Sequence, residues 1–154
     1  MRFKQKLREI FVLAGALLIA SAVLTQAQPP GGNQIHVYVV GLRNDKGKAL
    51  CALFSSAADF PKKADKAIAR SAAAISNQRA VCDFSGVAPG TYAVAVFHDE
   101  NSNGKLDTNF LGIPREGVGA SKDAQGHFGP PKFDAAAFHF SGGRLDLRIT
   151  IKYL

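Results

Sequence analysis

Apolar and polar residues alternate along several short stretches of the chain, and this period of two is typical of β-strands with one buried face. The clearest example is 91–98, with the sequence TYAVAVFH, and residues 144–153 alternate Leu, Ile and Tyr with Asp, Arg, Thr and Lys. Further stretches with a similar preference are 34–42, 48–55, 79–84 and 138–140. The pattern therefore predicts a chain built mainly of short strands.

The segments between these strands predict how the strands connect. Residues 43–47, RNDKG, have the composition of a turn, so the first two strands are expected to form a hairpin. The Ala- and Lys-rich segment 58–74 has no strand pattern and favours a short helix or a surface excursion held to the core by Phe60. Residues 138–140 are expected to pair with the last strand. Tyr92 follows a Pro-Gly turn, as a tyrosine-corner residue does in sandwich domains.

Short strands separated by Gly and Pro turns, without regular alternation of strands and helices, favour an all-β antiparallel sandwich. One segment departs from this scheme, because residues 109–132 contain eight Gly or Pro residues and no strand pattern. Long loops of this kind are uncommon and often functional. Phenylalanines at and beyond Phe110, among them Phe128, are expected to fix this loop to the body of the domain.

The first 27 residues have the layout of an export signal. A cationic start is followed by an apolar run over 11–24 and by small residues that place cleavage after Ala27. An uncleaved anchor is the alternative. The composition of 28–33, QPPGGN, favours a flexible leader, and 34–154 is then one β-sandwich domain. The expected location is the periplasm or the exterior.

Charge and composition exclude several classes of protein. Four of the 19 Lys and Arg residues and one of the 12 Asp and Glu residues lie within 1–27, so the remainder carries a net charge of +4. These cations are scattered, which argues against a nucleic-acid partner. No apolar stretch after residue 27 approaches the roughly 20 residues needed to span a bilayer. A chain that is 47% hydrophobic and 20% charged is expected to fold.

The chain has two cysteines, Cys51 and Cys82, and both follow the predicted signal. In an oxidising compartment an isolated pair usually forms a disulfide. Two separate buried thiols are the alternative, because cysteine packs well as a small apolar residue. The absence of a Cys-x-x-Cys spacing argues against a redox-active pair.

The most specific chemistry lies in residues 99–107, DENSNGKLD. Oxygen-bearing side chains recur at alternate positions, and Gly104 at the sixth position allows a sharp bend, as in calcium-binding loops. In such a loop the seventh residue contributes its carbonyl and the ninth binds directly or through water. The predicted Ca²⁺ ligands are Asp99, Asn101, Asn103, the Lys105 carbonyl and Asp107.

The calcium pattern breaks at its twelfth position, where Phe110 replaces the bidentate Glu of an EF-hand. The missing carboxylate is expected from Glu116 or Glu100, although neither follows from the spacing. Two charged ligands imply weak binding, with a Kd on the order of 10⁻⁴–10⁻³ M. The alternative is an Asx-rich turn without an ion, in which the side chains bond the backbone of the loop.

Other catalytic and metal sites receive less support from the sequence. Zinc usually requires three or four nitrogen or sulfur ligands, and the four histidines show no paired spacing. A serine hydrolase is disfavoured because the chain has no Gly-x-Ser-x-Gly motif.

Three segments of the chain, 86–107, 111–117 and 128–133, resemble the bacterial DUF2141 family in sequence and in order. The resemblance implies a small exported protein of unknown function and supplies no reaction. The chain is more distantly similar to prealbumin-like modules and cell-surface B-type repeats, which share the Pro-Gly-x-Tyr entry to a strand. Some of these pair it with an Asp/Asn calcium loop, which favours calcium at 99–107. The resemblance also implies an immunoglobulin-like or prealbumin-like sandwich here.

Together these features predict a non-enzymatic exported domain in which calcium fixes the start of the 109–132 loop. That loop would then offer a surface to a protein or glycan of the cell envelope. The alternative is a small-ligand binder or hydrolase with a site under the same loop, which would use His98, Glu116 or His127.

Overall fold

The computed structural model describes residues 32–154. The predicted export signal over 1–27, and residues 28–31 of the predicted leader, lie outside the described residues. Among residues 32–154, no helix has the length and apolar character needed to cross a membrane.

The described chain is mostly β, as the alternation of apolar and polar residues predicts. Its strands are β1 (Gln34–Val40), β2 (Lys48–Phe54), β3 (Ala69–Ala74), β4 (Ala80–Ser85), β5 (Gly90–Asp99), β6 (Val118–Ala120), β7 (Phe138–Phe140) and β8 (Arg144–Thr150). The helical elements of this part of the chain are 3₁₀ turns at Ala64–Lys66 and Ser121–Asp123 and one α-helical turn, α1 (Phe133–Ala136).

The strands form two sheets. The first has the order β4-β1-β8, and the second has the order β3-β2-β5-β6, with β7 paired to the start of β5. The strand pairs are antiparallel except for β1 and β8, which run parallel. The expectation of a fully antiparallel arrangement is therefore wrong for this pair, because the last strand enters the first sheet from the same end as β1.

The larger apolar cluster draws its buried side chains from both sheets. Its fully buried members include Ile35, Val37, Val39, Leu53, Val94 and Ile149. Burial of each such side chain contributes roughly 1.5–3 kcal/mol. The predicted disulfide is confirmed, because Cys51 on β2 is bonded to Cys82 on β4 and thus joins the sheets. Both sheets, this core and the disulfide lie within 34–154.

The predicted hairpin of β1 and β2 is wrong, because the two strands lie in different sheets. Both edges of β1 are already paired, with β4 and with β8. The polar turn between β1 and β2 has another use: the Asp45 carboxylate accepts hydrogen bonds from the backbone N–H groups of Asn77 (3.1 Å) and Gln78 (2.6 Å). The turn therefore holds the β3–β4 connection in place.

The interpretation of 58–74 as a segment without strands is wrong for β3, which pairs with β2. Its sequence, ARSAAA, shows little strand preference because alanine is depleted in strands. Only Ala73 in this edge strand is buried, so pairing with β2 determines its conformation. Phe60 does pack inward, edge to face with Phe54, in a smaller apolar cluster that includes Ala93 of β5.

The short strand β7 pairs with β5 and not with β8, contrary to the expectation. Gly142 and Gly143, both with positive φ, turn the chain from the second sheet into the first before β8 begins. At the start of β5, the Tyr92 hydroxyl donates to the Ala88 carbonyl (2.8 Å), which is the contact of a tyrosine corner.

The 109–132 segment is attached to the body by strand pairing and by the side chains of Ser121 and Asp123, which form hydrogen bonds with β5 and β8. Within it, β6 pairs with β5, and Val118 forms a bridge to Lys152 near the end of the chain. The expectation that phenylalanines fix the segment is wrong for Phe110 and Phe128, whose side chains are exposed to solvent.

Candidate functional site

The candidate site begins where β5 ends. Asp99, the last residue of β5, is buried and lies opposite Lys48 of β2. Next to it, Gly47 has a φ of +67° and approaches so closely that a Cβ there would overlap the Asp99 carbonyl oxygen. Glycine at position 47 therefore leaves room for the backbone of Asp99 at the end of β5.

The Asp99 carboxylate organises the loop that follows. Its two oxygens accept hydrogen bonds from the backbone N–H groups of Asn103 (3.0 Å) and Gly104 (2.9 Å). Gly104 has a φ of +74°, a conformation that glycine adopts without strain. These contacts turn the chain back towards the end of β5.

Asn101 and Asn103 form two consecutive Asx turns inside this loop. The Asn101 Oδ1 accepts from the Asn103 N–H (3.1 Å), and the Asn103 Oδ1 accepts from the Lys105 N–H (2.8 Å). Their Nδ2 groups donate to the Asp107 carboxylate, at 2.6 Å from Asn101 and 3.1–3.2 Å from Asn103. These hydrogen bonds link four of the five predicted ligand residues: the side chains of Asn101, Asn103 and Asp107, and the backbone of Lys105.

Glu116 is the carboxylate that closes the loop. Only 5% of this residue is exposed. Its Oε1 accepts from the Glu100 N–H (2.9 Å) and its Oε2 accepts from the Asp107 N–H (3.0 Å). Hydrogen bonds to a buried carboxylate are among the stronger ones in proteins. Glu116 thus joins the two ends of the 99–107 loop.

Glu100, the other acid considered from the sequence, turns to a different partner. Its carboxylate forms an ion pair with Arg43 (2.5 Å) and accepts from the Asn44 amide (3.2 Å). Partial burial raises the pKa of Glu100, but the Arg43 guanidinium and the Asn44 amide outweigh it and leave this pKa below its usual value. Glu100 is therefore a charged group already neutralised by an arginine.

His98 is completely buried, and both of its ring nitrogens are engaged. Nε2 lies 2.7 Å from the Lys46 carbonyl, which can only accept, so Nε2 carries the proton. Nδ1 lies 2.7 Å from the Tyr153 hydroxyl, which also accepts from the Arg43 N–H (2.9 Å). Burial raises the pKa of Tyr153. His98 is therefore a structural residue whose two ring nitrogens both have hydrogen-bond partners.

A shallow concavity of about 420 Å³ lies beside the loop. It is lined by Arg43, Glu100, Asn101, Asp107, Thr108, Arg115 and Glu116. Glu116, one of the residues of the predicted alternative site, lines this concavity, but His98 and the exposed His127 do not. Among residues 32–154, no three His, Cys, Asp or Glu side chains form a group that could hold a metal ion.

Sequence reasoning missed the contribution of Arg43 and Tyr153 to this end of the molecule. The Arg43 guanidinium lies over the Tyr153 ring, 4.5 Å from its centre, while also pairing with Glu100. The signal for Tyr153 was present, because it ends the apolar series of the last predicted strand. Its partner His98 could not be identified from spacing, since 55 residues separate them.

Comparison with known proteins identifies one family. Residues 37–148 match the model of DUF2141, described as an uncharacterized protein conserved in bacteria. Curated proteins and solved structures give no match. The match covers about three quarters of the chain and includes residues of every strand and the 99–117 segment, and the chain therefore belongs to the DUF2141 family.

Proposed function

We propose that this chain is an exported, non-enzymatic β-sandwich module of the bacterial cell envelope, in which residues 99–107 bind a structural Ca²⁺ ion. The module would bind a protein or glycan of the cell envelope. The ion would fix the start of the segment that follows β5.

The sandwich interpretation, of the immunoglobulin-like or prealbumin-like kind, is supported by the shared core. Inward residues of β1 and β8 in one sheet and of β2 and β5 in the other belong to the same buried cluster. The Cys51–Cys82 bond crosses between the sheets, and Tyr92 makes a tyrosine-corner contact. Two sheets packed face to face in this way are typical of sandwich domains.

The observation that carries the calcium proposal is the coil formed by the loop. Oxygens of Asp99, Asn101 and Asn103 each hold a backbone N–H, so the loop is ordered before any ion arrives. A carboxylate or amide oxygen that accepts one N–H still has acceptor capacity for a cation. Preorganised ligands lower the entropy cost of binding.

The proposed ligand set is Asp99, Asn101, Asn103, the Lys105 carbonyl and Asp107. Asp107 would exchange its hydrogen bonds with the two asparagine amides for contact with the ion. Glu116 would hold the loop closed without contacting the ion, because both its oxygens accept backbone N–H groups. Two carboxylates and otherwise neutral oxygens predict a Kd on the order of 10⁻⁴–10⁻³ M.

The calcium site is tested on a chain of residues 32–154 by titration calorimetry with millimolar Ca²⁺ and by melting with Ca²⁺ or EDTA. We expect heat of binding and a higher melting temperature in Ca²⁺. We expect Asp107→Asn to lower the affinity for Ca²⁺ about tenfold and to reduce the rise in melting temperature. The exposed Asp65, which lies far along the chain in the Ala64–Lys66 turn, supplies the matched control Asp65→Asn. Equal melting in Ca²⁺ and EDTA, with no heat, would leave the Asx-rich turn without an ion as the correct interpretation.

Export is supported by the disulfide, because disulfides persist in oxidising compartments. The expected result is that a full-length chain expressed in a bacterium is recovered from the periplasm or medium with Gln28 as its first residue. Recovery of the intact N-terminus in the membrane fraction would instead indicate an uncleaved anchor.

The hydrolase alternative receives less support than the binding role. His98 lies two residues before Glu100, which lines the concavity. Both of its ring nitrogens are engaged, and it has no exposed surface. A general base must reach the proton that it removes, and this ring cannot do so without losing a structural contact. A small-ligand site in the concavity beside Arg115 and Thr108 is the remaining alternative.

A further inference from the structure

Residues 105–115, which we name the apolar finger, carry hydrophobic side chains on the outside of the molecule. Phe110 is 94% exposed and Leu111 is 68% exposed, and Leu106 and Ile113 are also exposed. Exposed single hydrophobic residues are common, but four within eight positions mark an interaction surface.

The apolar finger is an ordered turn. The Asn109 side-chain oxygen accepts from the N–H groups of Leu111 (2.9 Å) and Ile113 (3.0 Å). The Asn109 N–H donates to the Ile113 carbonyl (2.8 Å), and Thr108 forms a bridge to Pro114. Phe110 and Leu111 are therefore held at the tip, and little conformational entropy is lost when they enter an apolar environment.

The base of the finger carries two exposed cationic side chains. Lys105 and Arg115 are exposed at its two ends, and neither forms a salt bridge within residues 32–154. The nearby acids are engaged elsewhere: Glu100 pairs with Arg43, and the buried Glu116 accepts two backbone N–H groups. Asp107, which is partly exposed, accepts from two asparagine amides.

We propose that the apolar finger inserts Phe110 and Leu111 into the surface of an anionic lipid bilayer, while Lys105 and Arg115 contact the lipid head groups. Aromatic and aliphatic side chains flanked by Lys and Arg are the composition of segments that bind at membrane interfaces. This inference rests on the proposed export and binding role, and it is independent of calcium because the contacts that order the finger need no ion.

A bilayer fits the finger better than a protein or glycan does. The hydrophobic side chains lie at the tip of a turn, whereas a protein partner would need a matching pocket and a glycan would need polar donors at the tip. Lys and Arg at both ends complement anionic head groups, and each contributes attraction that falls as salt rises.

The test is co-sedimentation of residues 32–154 with vesicles in EDTA, which separates it from the calcium proposal. One set of vesicles is phosphatidylcholine, and the other is a mixture with phosphatidylglycerol. We expect binding to the anionic vesicles, about tenfold weaker binding for Phe110→Asp/Leu111→Asp, and weaker binding for Lys105→Gln/Arg115→Gln. Circular dichroism and melting confirm that each variant is folded.

Ile68→Asp is the matched control. Ile68 is 52% exposed, and its N–H donates to the Leu53 carbonyl, at the end of β2 opposite to the finger. Its vesicle binding is expected to equal that of the unmodified chain. Absence of binding to anionic vesicles, or binding that Phe110→Asp/Leu111→Asp leaves unchanged, would overturn the proposal. A dimer in solution that this double variant converts to monomer would also overturn it, in favour of a second copy as the occupant.

Discussion

The centre of the molecule and the end that carries the 99–117 segment are stabilised in opposite ways. In the larger apolar cluster, Ile, Val and Leu side chains from both sheets are buried, and the disulfide joins β2 to β4. In 99–117 the buried groups are the carboxylates of Asp99 and Glu116, and the hydrophobic side chains of Phe110 and Leu111 face solvent. Apolar burial thus holds one region, and hydrogen bonds from side chains to backbone hold the other.

The difference indicates which region is free to carry function. A core stabilised by burial tolerates little change in the shape of its side chains, because interiors are closely packed. A loop whose backbone is held by its own Asp, Asn and Glu residues leaves its remaining side chains free for binding. The Ca²⁺ site and the lipid contact that we propose both belong to this second region.

The largest effect is expected from removal of the disulfide. Cys51→Ala/Cys82→Ala opens a loop of 31 residues that links the two sheets, and the chain-entropy model gives a loss of about 3–4 kcal/mol. Urea unfolding at neutral pH measures it, and unfolding of the unmodified chain in a reductant should give a similar loss. A loss below about 1 kcal/mol would mean that burial between the sheets suffices without the bond.

Glu116→Ala tests the polar region in the same way. It leaves the partly buried N–H groups of Glu100 and Asp107 without their acceptor, so we expect a loss of about 2–3 kcal/mol in urea unfolding. Glu116→Gln keeps one oxygen and is expected to lose less. Asp65→Ala, at an exposed position, is the control and should stay within about 0.5 kcal/mol. Equal stability of the Glu116 and Asp65 variants would contradict the role that we assign to Glu116.

The two regions also differ in how far the sequence predicts them. The apolar residues of β1, β2, β5 and β8 give these strands to within a few residues. Polar and apolar residues alternate in β1 and β8, whereas β2 and β5 are buried on both faces over most of their length. Which strands pair does not follow from alternation, so β1 and β2 were wrongly expected to form a hairpin. Strand β3 was missed because its alanines have no strand preference and the strand exists through pairing with β2.

In the polar region the spacing of oxygen side chains predicts the coil of 99–107 itself. The role of Glu116 was not determined, because 17 positions separate it from Asp99 and a turn of variable length lies between them. The contact between His98 and Tyr153 joins residues still further apart. Hydrogen bonds between residues close in sequence can therefore be predicted from the sequence, whereas contacts between residues far apart in the chain cannot.

Tyr153→Phe examines the junction between the two regions. The hydroxyl accepts from the Arg43 N–H and forms a hydrogen bond with Nδ1 of His98, which is fully buried. Its loss leaves this ring nitrogen without a hydrogen-bond partner, and we expect about 1–2 kcal/mol less stability at neutral pH in urea unfolding. An unchanged midpoint would show that His98 is held by the Lys46 carbonyl alone.

A smaller effect is expected from pH. The pKa of Glu100 is lower in the folded chain than its usual value of 4.5, because the donors Arg43 and Asn44 outweigh burial. The folded state then binds fewer protons than the unfolded one. The ionised Glu100 therefore stabilises the fold above its usual pKa of 4.5, and this stabilisation is lost as pH falls through the lower pKa of the folded chain. Arg43 is half exposed, so we expect less than about 1 kcal/mol. Glu100→Gln should reduce the loss of stability between pH 5 and 3, and identical pH profiles would contradict this assignment.

The smallest effect on stability is expected at the tip of the finger. Phe110→Ala removes a side chain that contacts mainly solvent, so the free energy of unfolding should change by less than about 0.5 kcal/mol. Phe54→Ala is the matched control, because the same change at a buried position on β2 should cost about 3–5 kcal/mol. A substantial loss for Phe110→Ala would mean that the tip packs against the domain and is not free for a partner. A neutral result would mean that the fold does not need a phenylalanine at this position, which leaves binding as the reason for a large apolar side chain in contact with water.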